Sequence, residues 1–227
     1  MYRVEDKFIC SEQDLLLLQA RLQTVLKPDE NQTGAEGYRI TSVYFDDLFD
    51  THLQDTVDGN RLREKYRIRI YNGSFDVIKL EIKYKRDSRV MKRTQEITLD
   101  QMRELMSGQC VRTENESMEN PITLFNLGIA DRGLRPKMII EYDRSAYVYV
   151  PGNVRITLDR NIRASEQMDA FTNGQKIAYE YIREWDRVLE VKYDEFLPGF
   201  IAGMLETGNL SQTSYSKYRI CREIKGA

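Results

Sequence analysis

The 227 residues suffice for one sizeable core, and 31% of them are charged, yet the formal net charge is only -2 and the pI about 5.7. That balance argues against an open basic surface gripping nucleic acid and points to cations gathered on particular strands. Cys10, Cys110 and Cys221 form no C-x-x-C pair and read as free thiols of a reducing cytoplasm; no apolar run is long enough to span a membrane, and MYRVEDKFIC is too charged for a signal peptide.

Tyr2 to Ile9 alternates as a strand, with Arg3, Glu5 and Lys7 on one face and Val4 and Phe8 on the other. Ser11 caps a helix, with Asp14 as capping-box partner and Leu15, Leu18, Leu22 and Val25 as the buried stripe, ended by Lys27-Pro28. Tyr38 to Phe45 is a strand, and DDLFDTHLQD after it is a short helix or turn. His52 is the only histidine, so a histidine metal site is excluded and a Ser-His-Asp triad disfavoured; it reads as a surface residue.

Arg61 to Arg93 is a hairpin with cations on one face. Arg63, Lys65, Arg67, Arg69 and Tyr71 share one side of its first strand, and Val77, Lys79, Glu81, Lys83 and Lys85 one side of its second. Of the turns that Asn72-Gly73-Ser74 allows, a three-residue loop keeps these faces together, setting Arg69 across from Val77, Arg67 from Lys79 and Lys65 from Glu81. Like charges about 5 Å apart then repel by about 3 kcal/mol per pair at an effective dielectric near 20, which calls either for a bound anion or for a face fanned into water.

Beyond the hairpin, Lys92 to Thr98 reads as a strand, Asp100 caps a helix through Met106, 107–120 is an exposed polar loop, and a helix from Pro121 to about Leu127 stops at Gly128. Lys137 to Val150 and Asn153 to Asp159 form a second hairpin, 170–184 has no decisive pattern, and Leu189 to Tyr193 is a short strand. Pro198 to Leu205 is a helix, and SYSKYRICREI closes the chain as a strand. No repeat or linker interrupts residues 1–227, so a single domain is expected.

The same alternation recurs far from the hairpin, with Arg155, Thr157 and Asp159 opposed to Ile156 and Leu158, and Glu190 and Lys192 opposed to Leu189, Val191 and Tyr193. An open sheet with one wet face would explain it. So would a closed barrel with a charged lumen, and the helical stripes Leu15/Leu18/Leu22 and Phe200/Ile201/Leu205 favour the barrel, because its outer faces supply their apolar partner. The expectation is an α+β, mainly β fold: a closed antiparallel tunnel β-barrel with a polar charged lumen and peripheral helices. Arginine, lysine and a few carboxylates in one lumen suit a metal-bound chain of phosphates. Neither G-x-x-x-x-G-K-[ST] nor G-x-G-x-x-G occurs, so side chains would have to hold the phosphate.

In order along the chain, VEDKF, SVYFD, the RIR strand, LEIKYK, EYDRSAY, VRITLD, LEVKY and SYSKY resemble the polyphosphate polymerase (VTC) catalytic domain of the triphosphate tunnel metalloenzyme (CYTH-like) superfamily. The resemblance implies a phosphotransferase that moves the terminal phosphate of ATP onto a growing inorganic polyphosphate with Mn2+ or Mg2+, in the cytoplasm. It implies no nucleic-acid partner and no membrane segment in this chain. Carried over residue by residue, Lys7, Arg67, Arg69, Lys83, Lys92, Arg144, Arg155, Lys192 and Lys217 match phosphate-binding positions, with Arg67, Arg69, Lys83 and Arg155 central to catalysis, and Glu190 matches the metal-binding glutamate. Glu5, Glu81 and Glu141 are further metal ligands or salt-bridge partners. Related hydrolases open with Glu-x-Glu-x-Lys, and Arg3 stands here at the first of those positions, which disfavours their metal arrangement. Eukaryotic relatives also carry a sensor domain and membrane helices, neither of which is read in these residues. The alternatives are an inorganic or nucleoside triphosphatase of the same fold and a non-catalytic polyphosphate- or RNA-binding barrel.

Overall fold

The computed structural model describes residues 3–32, 37–87, 89–183 and 186–226, so Tyr2 of the first expected strand and Glu184 at the end of the unassigned stretch lie outside the described residues. The strands are β1 (Arg3–Cys10), β2 (Lys27–Pro28), β3 (Tyr38–Asp46), β4 (Leu62–Tyr71), β5 (Ser74–Arg86), β6 (Arg89–Ile97), β7 (Arg135–Tyr149), β8 (Val154–Ser165), β9 (Glu180–Tyr181), β10 (Arg187–Tyr193) and β11 (Ser211–Gln212). The helices are α1 (Glu12–Val25), α2 (Thr51–Val57), α3 (Leu99–Met106), α4 (Pro121–Arg132), α5 (Met168–Thr172), α6 (Gly199–Leu205) and α7 (Lys217–Lys225).

Neighbouring strands pair antiparallel, and the pairings run round in a ring, β7-β3-β4-β5-β6-β1-β10-β8 and back to β7. The seam between β6 and β1 is narrow, joined at Arg3↔Val90 and Val4↔Arg89. Because side chains alternate along each strand, cross-strand partners pass one face all the way round. Lys7 is level with Glu190, Glu190 with Thr157, Asp159 with Arg144, Arg144 with Tyr38, Ser42 with Arg69, and Arg67 with Glu81.

The opposite face is greasy, and the helices cover it. Leu15, Leu18 and Leu22 of α1, each 0% exposed, pack with Ile201 and Leu205 of α6 against Ile156, Leu158, Leu189 and Val191. Met102 and Leu105 of α3 and Phe125 and Ile129 of α4 pack against Ile68, Leu80 and Ile82. Each such side chain contributes about 1.5–3 kcal/mol by leaving water, and this is what the helical stripes foretold. Val25 and Phe200, expected in those stripes, are exposed instead; Leu26 turns inward in place of Val25.

Several expectations change. The Ser11–Asp14 capping box forms as read, but α3 is capped by Thr98 with Gln101, two residues ahead of Asp100. α4 runs through Gly128 to Arg132 and is stopped by Gly133 at φ 66°; at Gly128 a Cβ would sit 3.2 Å from the Leu134 side chain, so this glycine serves close packing and not a stop. The β4–β5 turn is the two-residue one, with Asn72 and Gly73 both at positive φ (52° and 73°) and Tyr71 opposite Ser74. An irregularity between Arg69 and Tyr71 then shifts the register, so Arg69 faces Lys79, Arg67 faces Glu81 and Lys65 faces Lys83. The faces are those expected, but the partners are displaced by two residues, which brings a carboxylate beside Arg67.

The chain ends in a helix and not a strand. Tyr218, Ile220 and Cys221 of α7 pack on Met138, Ile140 and Ile162, residues of the same face that carries the charges. One end of the inner face is therefore apolar and capped by α7, which a uniformly polar lumen did not anticipate. His52 is buried, not superficial: it lies 2% exposed, 3.2 Å from the Asp46 carboxylate and stacked on Tyr66. No helix among the described residues is long and apolar enough to cross a membrane. Cys10, Cys110 and Cys221 are all free thiols.

Candidate functional site

Within the ring, Lys7, Arg67, Arg69, Lys83, Arg144, Lys192, Lys217 and Glu190 line one cavity together with Tyr44, Lys65, Tyr142, Ser216 and Tyr218. Residues spread over more than two hundred positions of sequence thus meet, seven of the nine expected cations among them. Strand alternation aims all of these except Lys217, which α7 delivers from its first turn with Ser216 as N-cap.

The cations are held by four buried carboxylates. Glu81 accepts from Arg67 Nε at 2.7 Å and Nη2 at 2.6 Å, from Lys92 at 2.5 Å, and lies 3.7 Å from Arg69. Asp159 accepts from Arg144 Nε and Nη2, at 2.6 and 2.7 Å, and from Lys217 at 2.6 Å. Glu5 receives Lys83 at 2.7 Å, and Lys7 bridges Glu5 and Glu190 at 3.3 and 3.5 Å; Glu190 also receives Lys192 at 3.0 Å.

Burial alone would raise these acids. The surrounding cations reverse it: Glu5, beside Lys83, Lys192 and Lys7, and Asp159, beside Arg144 and Lys217, are brought down to about 2, while Glu81 and Glu190 lie well below the usual range. All four are ionised at neutral pH, occupying donors that a phosphate chain could take over.

Lys65 differs from its neighbours. Among the described residues it has no carboxylate within ion-pair distance and donates to Ser216 Oγ at 2.7 Å; burial, Lys7, Lys83 and Arg63 push its ammonium well below the ordinary lysine value. Its place on the hairpin face was legible, but its exceptional environment was not. Tyr44 and Tyr142 face the cavity as partners of its guanidinium groups: the Tyr44 hydroxyl accepts from Arg67 at 3.1 Å, and Arg69 donates to Ser42 at 3.2 Å and to Tyr142 at 3.3 Å.

Two expected cations stand apart. Lys92 approaches from β6 behind Glu81 and does not line the cavity. Arg155 shares the inner face but turns to Asp29 at 2.9 Å and to the Tyr38 hydroxyl at 3.0 Å, because the segment after β2 crosses β7 at Ala146 and presents Asp29 there. Arg3 points away as well, to Asp194 at 3.1 Å. Glu141 lies on the outer face, bonded to Thr41 at 2.7 Å and to Arg163, and is a salt-bridge partner far in role from the cavity.

Desolvation of the ammonium where it meets Glu81, close to Arg67 and Arg69, draws Lys92 down to about 8, although its side chain is 45% exposed. Its charge is present below that pH and lost above it, so a polyanion bound nearby should lose affinity as pH rises through about 8. Triphosphate affinity titrated across that range should fall more steeply near pH 8 for wild type than for Lys92→Met, which keeps only the titration of the other depressed lysines such as Lys65; superimposable profiles would show that Lys92 does not act on the bound anion.

For a divalent ion, no three His, Cys, Asp or Glu side chains group closely enough among the described residues. Glu5 and Glu190, both held by Lys7, make a pair, and two carboxylates suffice when the remaining ligands are phosphate oxygens and water. The residues thus fit an ion brought in on its phosphates, not a protein-built cage.

Comparison with known proteins gives a family and a fold. The sequence profile described as the VTC domain matches residues 2–224. No curated protein matches the chain in sequence. Among solved structures it is similar to a Hippeastrum protein described as a candidate adenylyl cyclase with a dominant triphosphatase activity, at TM-score 0.54 and 15% identity over 98% of this chain and 95% of that one. It is also similar to a protein of Pyrococcus horikoshii OT3, at 0.53 and 14% over 98% and 99%, and to a candidate adenylate cyclase of Bacillus halodurans, at 0.51 and 12% over 84% and 79%. At these identities the likeness is one of fold.

Proposed function

The chain belongs to the VTC domain family, and from that premise we propose that its ring of strands serves as a tunnel in which the terminal phosphate of ATP is transferred to a growing inorganic polyphosphate. The observation that carries the reading is the convergence of Lys7, Arg67, Arg69, Lys83, Arg144, Lys192 and Lys217 on one cavity beside Glu190.

Such a cavity would bind a triphosphate by exchange. Phosphate oxygens take the guanidinium forks of Arg67, Arg69 and Arg144 and the ammonium groups of the lysines, replacing the internal carboxylates as partners. Glu190 and Glu5, released from Lys7, would hold the Mn2+ or Mg2+, which would supply neutralisation of the phosphate charge. The acceptor's terminal phosphate is already ionised at neutral pH, so its oxygen attacks the γ-phosphorus without a general base. A new P–O–P bond forms as the bond to the β-phosphate oxygen breaks, and ADP leaves. What the protein contributes is alignment and fixed positive charge, the main requirements of phosphoryl transfer. Arg155, bound to Asp29 outside the cavity, has no assigned part in this step.

The second reading is a triphosphatase in which water is the acceptor, favoured by the fold shared with the Hippeastrum protein whose description names that activity. Purified protein incubated with ATP and Mn2+ or Mg2+, with and without short polyphosphate, separates the readings. Long acid-insoluble chains are the expected product. Free phosphate alone would replace the polymerase by the hydrolase, and ATP bound but unchanged would leave a non-catalytic binding barrel.

A further inference from the structure

Lys217 reaches the cavity from a helix, so its aim depends on how α7 is rotated and seated; each residue turns a helix by about 100°. The next residue, Tyr218, is 1% exposed, stacks on Tyr44 at 5.2 Å between ring centroids, and donates its hydroxyl proton to Asp46 at 2.8 Å. The same oxygen accepts from Arg222 at 2.8 Å, one turn further along, and Arg222 grips Asp50 with two nitrogens at 2.6 and 3.0 Å.

Asp46, at the end of β3, is not free to follow the helix. Fully buried, it accepts the backbone N–H groups of Asp47 and His52 at 2.9 Å and of Leu53 at 3.0 Å, with the His52 ring at 3.2 Å. It is therefore fixed to the junction of β3 and α2. An anionic acceptor bound to rigid backbone makes a strong anchor for a hydroxyl.

Taking the triphosphate reading of the cavity as its basis, we propose that Asp46 and Tyr218 are positioning residues: they latch the first turn of α7 to the end of β3 and so hold Lys217 over Asp159 and the Tyr142 ring. Lys217 Nζ lies 2.6 Å from Asp159 and 4.6 Å from the centroid of that ring. A slide or rotation of α7 would carry the ammonium off both. The Tyr218 ring lines the cavity, but its hydroxyl is engaged by Asp46 and Arg222, so the latch acts through Lys217.

The test is a double-mutant cycle read by calorimetric titration of inorganic triphosphate, without metal, into wild type, Tyr218→Phe, Lys217→Met and the double variant. Tyr218→Phe keeps the ring and its stack on Tyr44 and removes the hydroxyl alone. It should weaken binding roughly fivefold, and Lys217→Met roughly tenfold, while the double variant should bind no more weakly than Lys217→Met, because residues acting as one unit are not additive. An equal loss from Tyr218→Phe in both backgrounds would overturn the latch and leave the cavity reading standing. Triphosphate affinity unchanged by Lys217→Met would sink the cavity reading and the latch with it. Should Tyr218→Phe fail to fold, Asp46→Asn, which breaks the same contact from the other side, takes its place in the cycle: no further loss in the Lys217→Met background supports the latch, and an equal loss in both backgrounds overturns it.

Discussion

Glu81→Gln should destabilise the protein by about 3–5 kcal/mol, the cost of leaving buried charges without their counterion. Glu81 is 1% exposed at its side chain and is the shared partner of Arg67 and Lys92, with Arg69 close by. Removing its charge leaves Arg67 and Arg69 facing each other where little water reaches, with the half-exposed Lys92 beside them. The loss would appear as a lower midpoint of urea unfolding at neutral pH. Inorganic triphosphate should reverse much of it, since a ligand at about 100 times its dissociation constant adds about 2.7 kcal/mol to the folded state and would supply the missing negative charge. An unfolding midpoint equal to wild type would show that the cluster is screened by solvent and exerts no strain. A lowered midpoint that triphosphate fails to raise would show that the cavity does not accept it.

Glu190→Gln should act in the opposite sense, with little loss of stability relative to its effect on chemistry. It shares Lys7 with Glu5, and Lys192 has Glu5 3.8 Å away, so its cations keep an alternative partner. Turnover of ATP with Mn2+ or Mg2+ should fall by about 100- to 1000-fold, the scale of removing one group that stabilises charge in the transition state. Metal-free binding of triphosphate should hold or tighten, because one competing carboxylate is gone. Turnover at the wild-type rate would exclude Glu190 from metal binding. Weakened metal-free binding would mean that Glu190 organises the lysines and does not compete with the substrate.

Much of the site is legible because a β-strand has period two. Once Arg67 and Arg69, or Glu190 and Lys192, are seen to alternate with aliphatic residues, each face is assigned from neighbours in sequence alone. The helices are readable for a similar reason: Ser11 with Asp14 and the Leu15/Leu18/Leu22 stripe are local patterns with local causes. Where expectation and structure part, the deciding contact is remote. Asn72-Gly73 marks the turn, but the irregularity beyond it displaces the partners across the hairpin by two residues. Lys217 is expected on a strand, since SYSKYRICREI alternates well enough for one, and the segment is instead a helix whose Tyr218, Ile220 and Cys221 pack with Met138 and Ile140. Arg155 keeps its face but meets Asp29, more than a hundred positions earlier in the chain. His52 reads as a surface residue because nothing adjacent announces that Asp46 and Tyr66 will enclose it.

By itself the sequence determined which side chains share a face, where α1, α4 and α6 start, and that the charged residues would be segregated from the apolar ones; these follow from backbone geometry and solvation over a few residues. Only the tertiary structure decided which charges meet. Closing the ring sets β1 beside β10 and β7 beside β8, and capping one end with α7 pairs Asp159 with Lys217, while the shifted hairpin register pairs Glu81 with Arg67. Coulomb energy depends on separation in space and on the local exclusion of water, and neither quantity is carried by separation along a chain.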